Sequence, residues 1–263
     1  MGWIELDGAQ NVRDLGGLLT RDGQRIAARR LLRGDSLQQL SPADVTLLVS
    51  GIGITTVIDL RSPAEVAAQG PGPLTRITSV RHQHFSLLPE LFGTAAAGAG
   101  AATAEAALAV RLDVASSRYP DDLRCGLYLG YLEERPDQVA GALRGIAAAP
   151  GPALVNCAAG KDRTGVVIAL ALSVAGVRRD AIIADYAASA ERVSAVMARL
   201  GAAPAYQAAI EGRHALEHVP RAETMAAFLD QLQARYHGAP QWLSAHGFSA
   251  ADAAALRARL LGS

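Results

Sequence analysis

The residues best equipped for chemistry stand in one run, Asn156-Cys157-Ala158-Ala159-Gly160-Lys161-Asp162-Arg163-Thr164-Gly165. It follows a short apolar segment, Ala153 to Val155, and precedes a longer one, Val166 to Val174. The first reads as a strand and the second as a helix starting at about Thr164. A tight strand-to-helix loop turns successive backbone N–H groups toward one point, and the helix dipole adds positive potential there. Such a nest suits a tetrahedral dianion. Gly160 and Gly165 relax the backbone at its bends. Arg163 stands where its planar fork could grip two phosphate oxygens. The same potential favours the thiolate of Cys157, a nucleophile able to attack phosphorus. Thr164 could donate to the sulfur when it leaves. The loop supplies the positive charge that a metal would otherwise bring, so no cofactor is called for.

A lone cysteine is most often a small buried hydrophobe. That reading accounts for Cys125, in Arg124-Cys125-Gly126-Leu127. It does not account for Lys161-Asp162-Arg163, three charges in a row between two apolar segments, which call for a ligand or a buried network.

The rest of the chain limits the possibilities. With 25 basic and 25 acidic residues among 263, no global field draws the protein to nucleic acid. Half of the residues are hydrophobic, as a globular chain requires. Lys161 is the only lysine, in a chain that uses arginine everywhere else. Two cysteines are too few for a disulfide framework, and the histidines lack metal-ligand spacing. No signal peptide opens the chain and no run is long enough to span a membrane, so a cytoplasmic protein is expected, with signal-less export as the alternative.

The elements that must position the loop can be read in outline. Leu15 to Leu19 and Gln24 to Ala27 flank Thr20-Arg21-Asp22-Gly23, a hairpin signal. Ser41-Pro42-Ala43-Asp44 opens a helix expected to end at Gly51, and Ser62-Pro63-Ala64-Glu65 repeats that start pattern. Ile54 to Leu60 reads as a strand covered on both faces. Ser79 to Ser86 is a further strand. Helices are expected over Asp137 to Ala149, Arg178 to Ala198, Pro220 to Tyr236 and Ser249 to Leu261. Residues 93–117, a Gly/Ala linker and an Ala-rich helix, read either as a mobile lid insertion or as an ordinary surface helix. The pattern predicts an α/β fold, a central and mainly parallel sheet flanked by helices, in one domain spanning 1–263.

The loop resembles the signature of the protein tyrosine phosphatase superfamily. Its Gly-Lys-Asp-Arg-Thr-Gly form is similar to that of bacterial tyrosine phosphatases which also accept phosphoserine, phosphothreonine and phosphoinositides. Asn11 to Gly17, Leu32 to Asp35, Gly53 to Ser62 and Ile183-Ala184-Asp185-Tyr186 resemble that family's landmarks in the same order. The resemblance implies a phosphatase in which Cys157 is the nucleophile and Arg163 the phosphate ligand. Ala158, Ala159, Gly160, Lys161 and Asp162 would complete the loop by their amides. Lys161 would suit substrates with more than one phosphate, such as an inositol head group. The implied partners are phosphorylated proteins or phosphoinositides.

Two features depart from that pattern. Asn156 stands where the superfamily usually has histidine, and a neutral amide stabilises a thiolate less. The upstream acid expected near Phe85 to Glu90 is missing. Asp162 is the preferred general acid, with a salt bridge inside the loop as its alternative; Glu90, Asp121 and Asp122 are more distant candidates. The pairs Arg13/Asp14 and Asp59/Arg61 are expected to be structural. A binding protein with weak turnover is the competing reading for the whole chain.

Overall fold

The structure is a computed structural model that describes residues 2–88, 122–202 and 219–262. Six strands form one sheet: β1 (Gly2–Trp3), β2 (Arg13–Asp14), β3 (Leu31–Gly34), β4 (Thr56–Asp59), β5 (Arg81–His84) and β6 (Ala153–Asn156). Their order is β1-β2-β3-β6-β4-β5. β3, β6, β4 and β5 run parallel, and β1 and β2 add an antiparallel edge.

β6 is central and buried at every position. Its side chains alternate between two cores, as the period of two along a strand demands. Leu154, level with Leu32 and Val57, faces an apolar layer that includes Val12, Leu48 and Leu74. Val155, level with Arg33 and Ile58, faces the larger core. A strand covered on both faces therefore reads as a continuous apolar run, as expected for 54–60.

The helices among the described residues are α1 (Pro42–Thr46), α2 (Pro63–Gln69), α3 (Leu123–Glu134), α4 (Pro136–Ala147), α5 (Asp162–Val174), α6 (Arg179–Ala188), α7 (Val193–Gly201), α8 (Ala222–Tyr236), α9 (Ala239–Ala245) and α10 (Ala250–Leu261). The Ser-Pro starts form as read: Ser41 and Ser62 cap α1 and α2, with Asp44 and Glu65 answering from the third helical position. Ser249 and Asp252 do the same for α10.

The structure corrects several boundaries. The helix expected to stop at Gly51 continues as a π-turn through Leu47–Ile52, and Gly53 closes it in the left-handed region at φ 86°. α5 begins at Asp162 rather than Thr164, because the Gly165 amide already bonds back to the Lys161 carbonyl at 2.8 Å. The continuous helix expected over 178–198 is interrupted by a tighter turn at Ser189–Arg192, where the Ser189 hydroxyl meets Arg13. α3 and α9 were not foreseen. Arg13 and Asp14 do not pair with each other. Asp14 accepts from the amides of Gly16 and Arg29, whereas Arg13 turns to Asp185 on α6. Asp59 and Arg61 do pair, at 2.6 Å. The hairpin at 20–23 is present, with Gly17 and Ile26 bonded across it. The segment expected as a lid, 93–117, lies outside the described residues, as do Glu90 and Asp121.

Candidate active site

The loop between β6 and α5 is built from its carbonyls inward. The Ala158 carbonyl accepts from the Ser36 amide at 3.0 Å. The Ala159 carbonyl accepts from Asn11 Nδ2 at 3.0 Å, and the Gly160 carbonyl from Arg33 Nη2 at 2.8 Å. The Lys161 carbonyl starts the helix ladder. In a trans peptide the N–H points opposite to the C=O of the same unit. Pinning four successive carbonyls outward therefore turns the amides of Ala159, Gly160, Lys161 and Asp162 to the other side. Gly160 sits at φ 67°, and a Cβ there would come within 2.5 Å of the Gly34 backbone. Only glycine lets the loop lie this close to β3.

The groups doing the pinning are themselves anchored. Asp185, on α6, accepts from Arg13 Nε at 2.9 Å and from Arg33 Nη1 at 2.5 Å, with all three side chains buried. Burial opposes ionising Asp185, but the charges of Arg33 and Arg13 outweigh it and hold its carboxyl below the usual range. Arg13 also reaches Asn11 Oδ1 at 2.6 Å, which directs the Asn11 amide group to the loop. Asp35 holds the amides of Gln10 and Asn11 and is paired with Arg199 of α7 at 2.7 Å. Ala158 and Ala159 pack against the apolar side of α7, at Val193, Val196, Met197 and Leu200.

Arg163 is fixed from α2. Glu65 receives its guanidinium bidentately, Nη1 to Oε2 at 2.5 Å and Nη2 to Oε1 at 2.8 Å. Glu65 Oε2 also accepts the Ser62 amide at 2.7 Å, so the capping box that starts α2 aims this carboxylate. Burial opposes its charge, yet Arg163 lowers the Glu65 pKa to about 2. Arg163 in turn is raised above the ordinary guanidinium value: Glu65 more than offsets the cost of burial. Asp59 and Gln69 hold Arg61, and His84 bonds to the Arg61 carbonyl at 2.6 Å, which steadies the turn from β4 into α2.

Cys157 is 2% exposed and unpaired, and Lys161 and Arg163 both lie within electrostatic reach of it. The Thr164 hydroxyl is fully buried and lacks a hydrogen-bond partner among the described residues, as does Asn156 Oδ1. Thr164 therefore does not bond the sulfur in this state; its donor is unspent. Lys161 is buried, which lowers its pKa, and its Nζ lies 3.4 Å from Asp162 Oδ2. Asp162 is 27% exposed, faces Arg124 Nε at 3.8 Å and accepts from the Tyr128 hydroxyl at 2.6 Å. Burial opposes its ionisation, but Lys161, Arg124 and Tyr128 together hold it below the usual carboxylate range.

All the residues singled out in the loop thus meet in one place. Asp122 is occupied elsewhere: its side chain accepts the amides of Arg124 and Cys125 as the N-cap of α3. Cys125 is pushed up to about 12 by burial and nearby Asp122, in keeping with a packing role. What the sequence reading missed are the supports, namely Glu65, Asn11, Arg33, Asp185, Arg124, Tyr128 and Tyr186. Glu65 was visible only as a helix-start acid, and Asn11, Arg33, Asp185 and Tyr186 only as members of landmark runs.

The loop whose sequence resembles the signature of the tyrosine phosphatases thus joins a buried strand to a helix, with its arginine held bidentately. The chain belongs to that group: the model of the tyrosine phosphatase family matches residues 4–262. It is 32% identical over 212 residues to the triple specificity protein phosphatase PtpB of Mycobacterium tuberculosis, covering 74% of this chain and 72% of that one. It is 31% identical over 249 residues to a tyrosine-protein phosphatase of Nostoc commune, covering 89% and 75%. This is a phosphatase enzyme. No helix among the described residues is long and apolar enough to cross a membrane.

Proposed function

We propose that the chain, acting as one domain, hydrolyses phosphomonoesters through a phosphocysteine on Cys157. The observation that carries this reading is the loop itself. Its carbonyls are held outward, its amides are turned inward, and Glu65 holds Arg163 beside the buried thiol. The amides of Ala158 through Asp162 and the Arg163 guanidinium take the phosphoryl oxygens. The Cys157 thiolate forms the S–P bond as the P–O bond to the leaving group breaks, and that oxygen takes a proton from Asp162. Water then attacks phosphorus, gives its proton to the Asp162 carboxylate, and the S–P bond breaks. The unspent Thr164 hydroxyl stabilises the departing sulfur.

The salt bridge of Asp162 with Lys161 exists in the resting site, so the acid role needs the carboxylate to gain a proton there. A docked phosphate dianion supplies the cause. It draws Lys161 to itself, and its negative charge favours the neutral form of Asp162.

The reading extends to phosphotyrosine as substrate, with phosphoserine, phosphothreonine and phosphoinositides as further classes. Lys161 and Arg124 stand beside Asp162, the neighbour of Arg163 in the loop, as two more cations for a second phosphate. The name of the mycobacterial relative, triple specificity, supports more than one class of phosphoester. The test is hydrolysis of p-nitrophenyl phosphate by the wild type, Cys157→Ser and Asp162→Asn, followed by phosphopeptides against phosphoinositides. Hydrolysis that survives Cys157→Ser excludes this mechanism, and none in the wild type leaves a phosphate-binding protein.

A further inference from the structure

Behind Asp162 lies a polar chain that the loop chemistry leaves unused. Tyr128 of α3 and Tyr186 of α6 are both buried, and their hydroxyl oxygens are 2.6 Å apart. The Tyr128 oxygen is also 2.6 Å from Asp162 Oδ1. Arg124, one turn before Tyr128, bonds its side chain to the Tyr186 hydroxyl. Gly165 makes room for this: a Cβ there would meet the Tyr186 ring at 2.9 Å.

The proton direction along this chain follows from chemistry. A guanidinium only donates, and each phenol has one proton to give. With Asp162 ionised, Tyr128 spends its one proton on Oδ1, so the bond between the two hydroxyls is donated by Tyr186, which itself accepts from Arg124. A proton taken up on Oδ2, the oxygen facing Lys161, leaves these bonds in place, whereas one on Oδ1 would turn the Tyr128 hydroxyl away from the carboxylate.

We infer that Arg124, Tyr186 and Tyr128 form a hydroxyl chain that positions Asp162 and makes Oδ2 the oxygen that delivers the proton to the leaving group. This rests on the acid role of Asp162 proposed above. Tyr128 and Tyr186 are positioning residues, buried and acting through Asp162. The charged and titratable groups facing Asp162 are Lys161 in the loop, Arg124 and Tyr128 on α3 and Tyr186 on α6. The hydroxyl of Tyr128 favours the ionised carboxylate, so removing it raises the proton affinity of Asp162.

The experiment uses the full chain and Tyr128→Phe, which keeps the ring packed on Tyr131 and Phe228. Carbon-13 NMR of the labelled aspartate carboxyls, assigned with Asp162→Asn, reads the titration of Asp162 without reference to activity. The expected result is an upward shift of about one pH unit, the worth of one hydrogen bond to a charged group. Tyr186→Phe gives a smaller shift in the same direction. In parallel the basic limb of the kcat profile moves to higher pH in Tyr128→Phe. Its rate on phenyl phosphate falls more than its rate on p-nitrophenyl phosphate, whose leaving group needs no acid. A titration unmoved in folded Tyr128→Phe overturns the chain. Kinetics unmoved despite the shift overturn its part in proton delivery. A wild type without hydrolysis sinks the phosphatase reading alone, since the NMR still decides whether the chain positions Asp162.

Discussion

The two halves of the phosphate loop are held by opposite means. From Ala158 to Gly160 the backbone is gripped by its carbonyls, and the grip ends on a buried Arg13–Asp185–Arg33 cluster. From Lys161 to Arg163 the side chains are gripped, by Glu65 on one side and by Arg124 and Tyr128 on the other. The first half needs particular backbone geometry and little side-chain identity, which suits residues as plain as Ala158 and Ala159. The second half carries the charges and can be tuned one residue at a time. The difference teaches that shape and reactivity in this site rest on separate supports, which should fail separately.

The largest effect belongs to the backbone side. Asp185→Asn leaves two buried arginines facing each other without their carboxylate. The expected cost is about 3–5 kcal/mol, read as a lower urea midpoint with an unchanged slope. Activity should follow the folded fraction.

Glu65→Gln tests the side-chain half, at about 3 kcal/mol near neutral pH. The value follows from a carboxyl at 4.5 when free and about 2 when paired. Because the folded pKa is depressed, this stability is fully present above about pH 4.5 and lost as the pH falls toward about 2. Unfolding measured across that window should bring wild type and Glu65→Gln together at the acid end. The variant should also lose roughly ten- to hundredfold in kcat/KM at neutral pH, since a loosened Arg163 no longer meets the phosphoryl oxygens in fixed geometry.

Gly160→Ala is the smallest change and sharpens the comparison most. A methyl there strains a left-handed backbone and presses on Gly34, at a cost of about 1–3 kcal/mol. The predicted outcome is a fold that survives with a loop displaced from β3. KM for a phosphoester should rise, while the Glu65–Arg163 pair keeps its own acid titration.

Much of the tunable half was legible in the sequence, because charges between two apolar runs stand out wherever they occur. Cys157 and Arg163 were named from their place between strand and helix, and Lys161 and Asp162 as charges whose roles the family resemblance implied. The supporting half was not, because its partners are far apart along the chain: Arg13 meets Asp185 across 172 residues and Arg163 meets Glu65 across 98. Glu65 illustrates the difficulty. Its local role in the Ser62 capping box is complete in itself, and nothing local signals that the same carboxylate faces an arginine. The fold class was readable from the alternation of apolar strands and amphipathic helices. α3 escaped notice because its pattern mixes tyrosines, glycines and a cysteine. The break at Ser189 escaped because it answers to Arg13, a residue of β2 that stands 176 positions earlier in the chain.

The central claim is that Cys157 carries the phosphoryl group. Rapid acid quenching of the wild-type enzyme during turnover of a phosphoester, followed by mass spectrometry of the peptide containing Cys157, tests it directly. The account predicts one phosphoryl adduct on that cysteine, accumulating within the first turnover and absent in Cys157→Ser. Steady hydrolysis with no adduct at any quench time, or with the adduct on another residue, would contradict it.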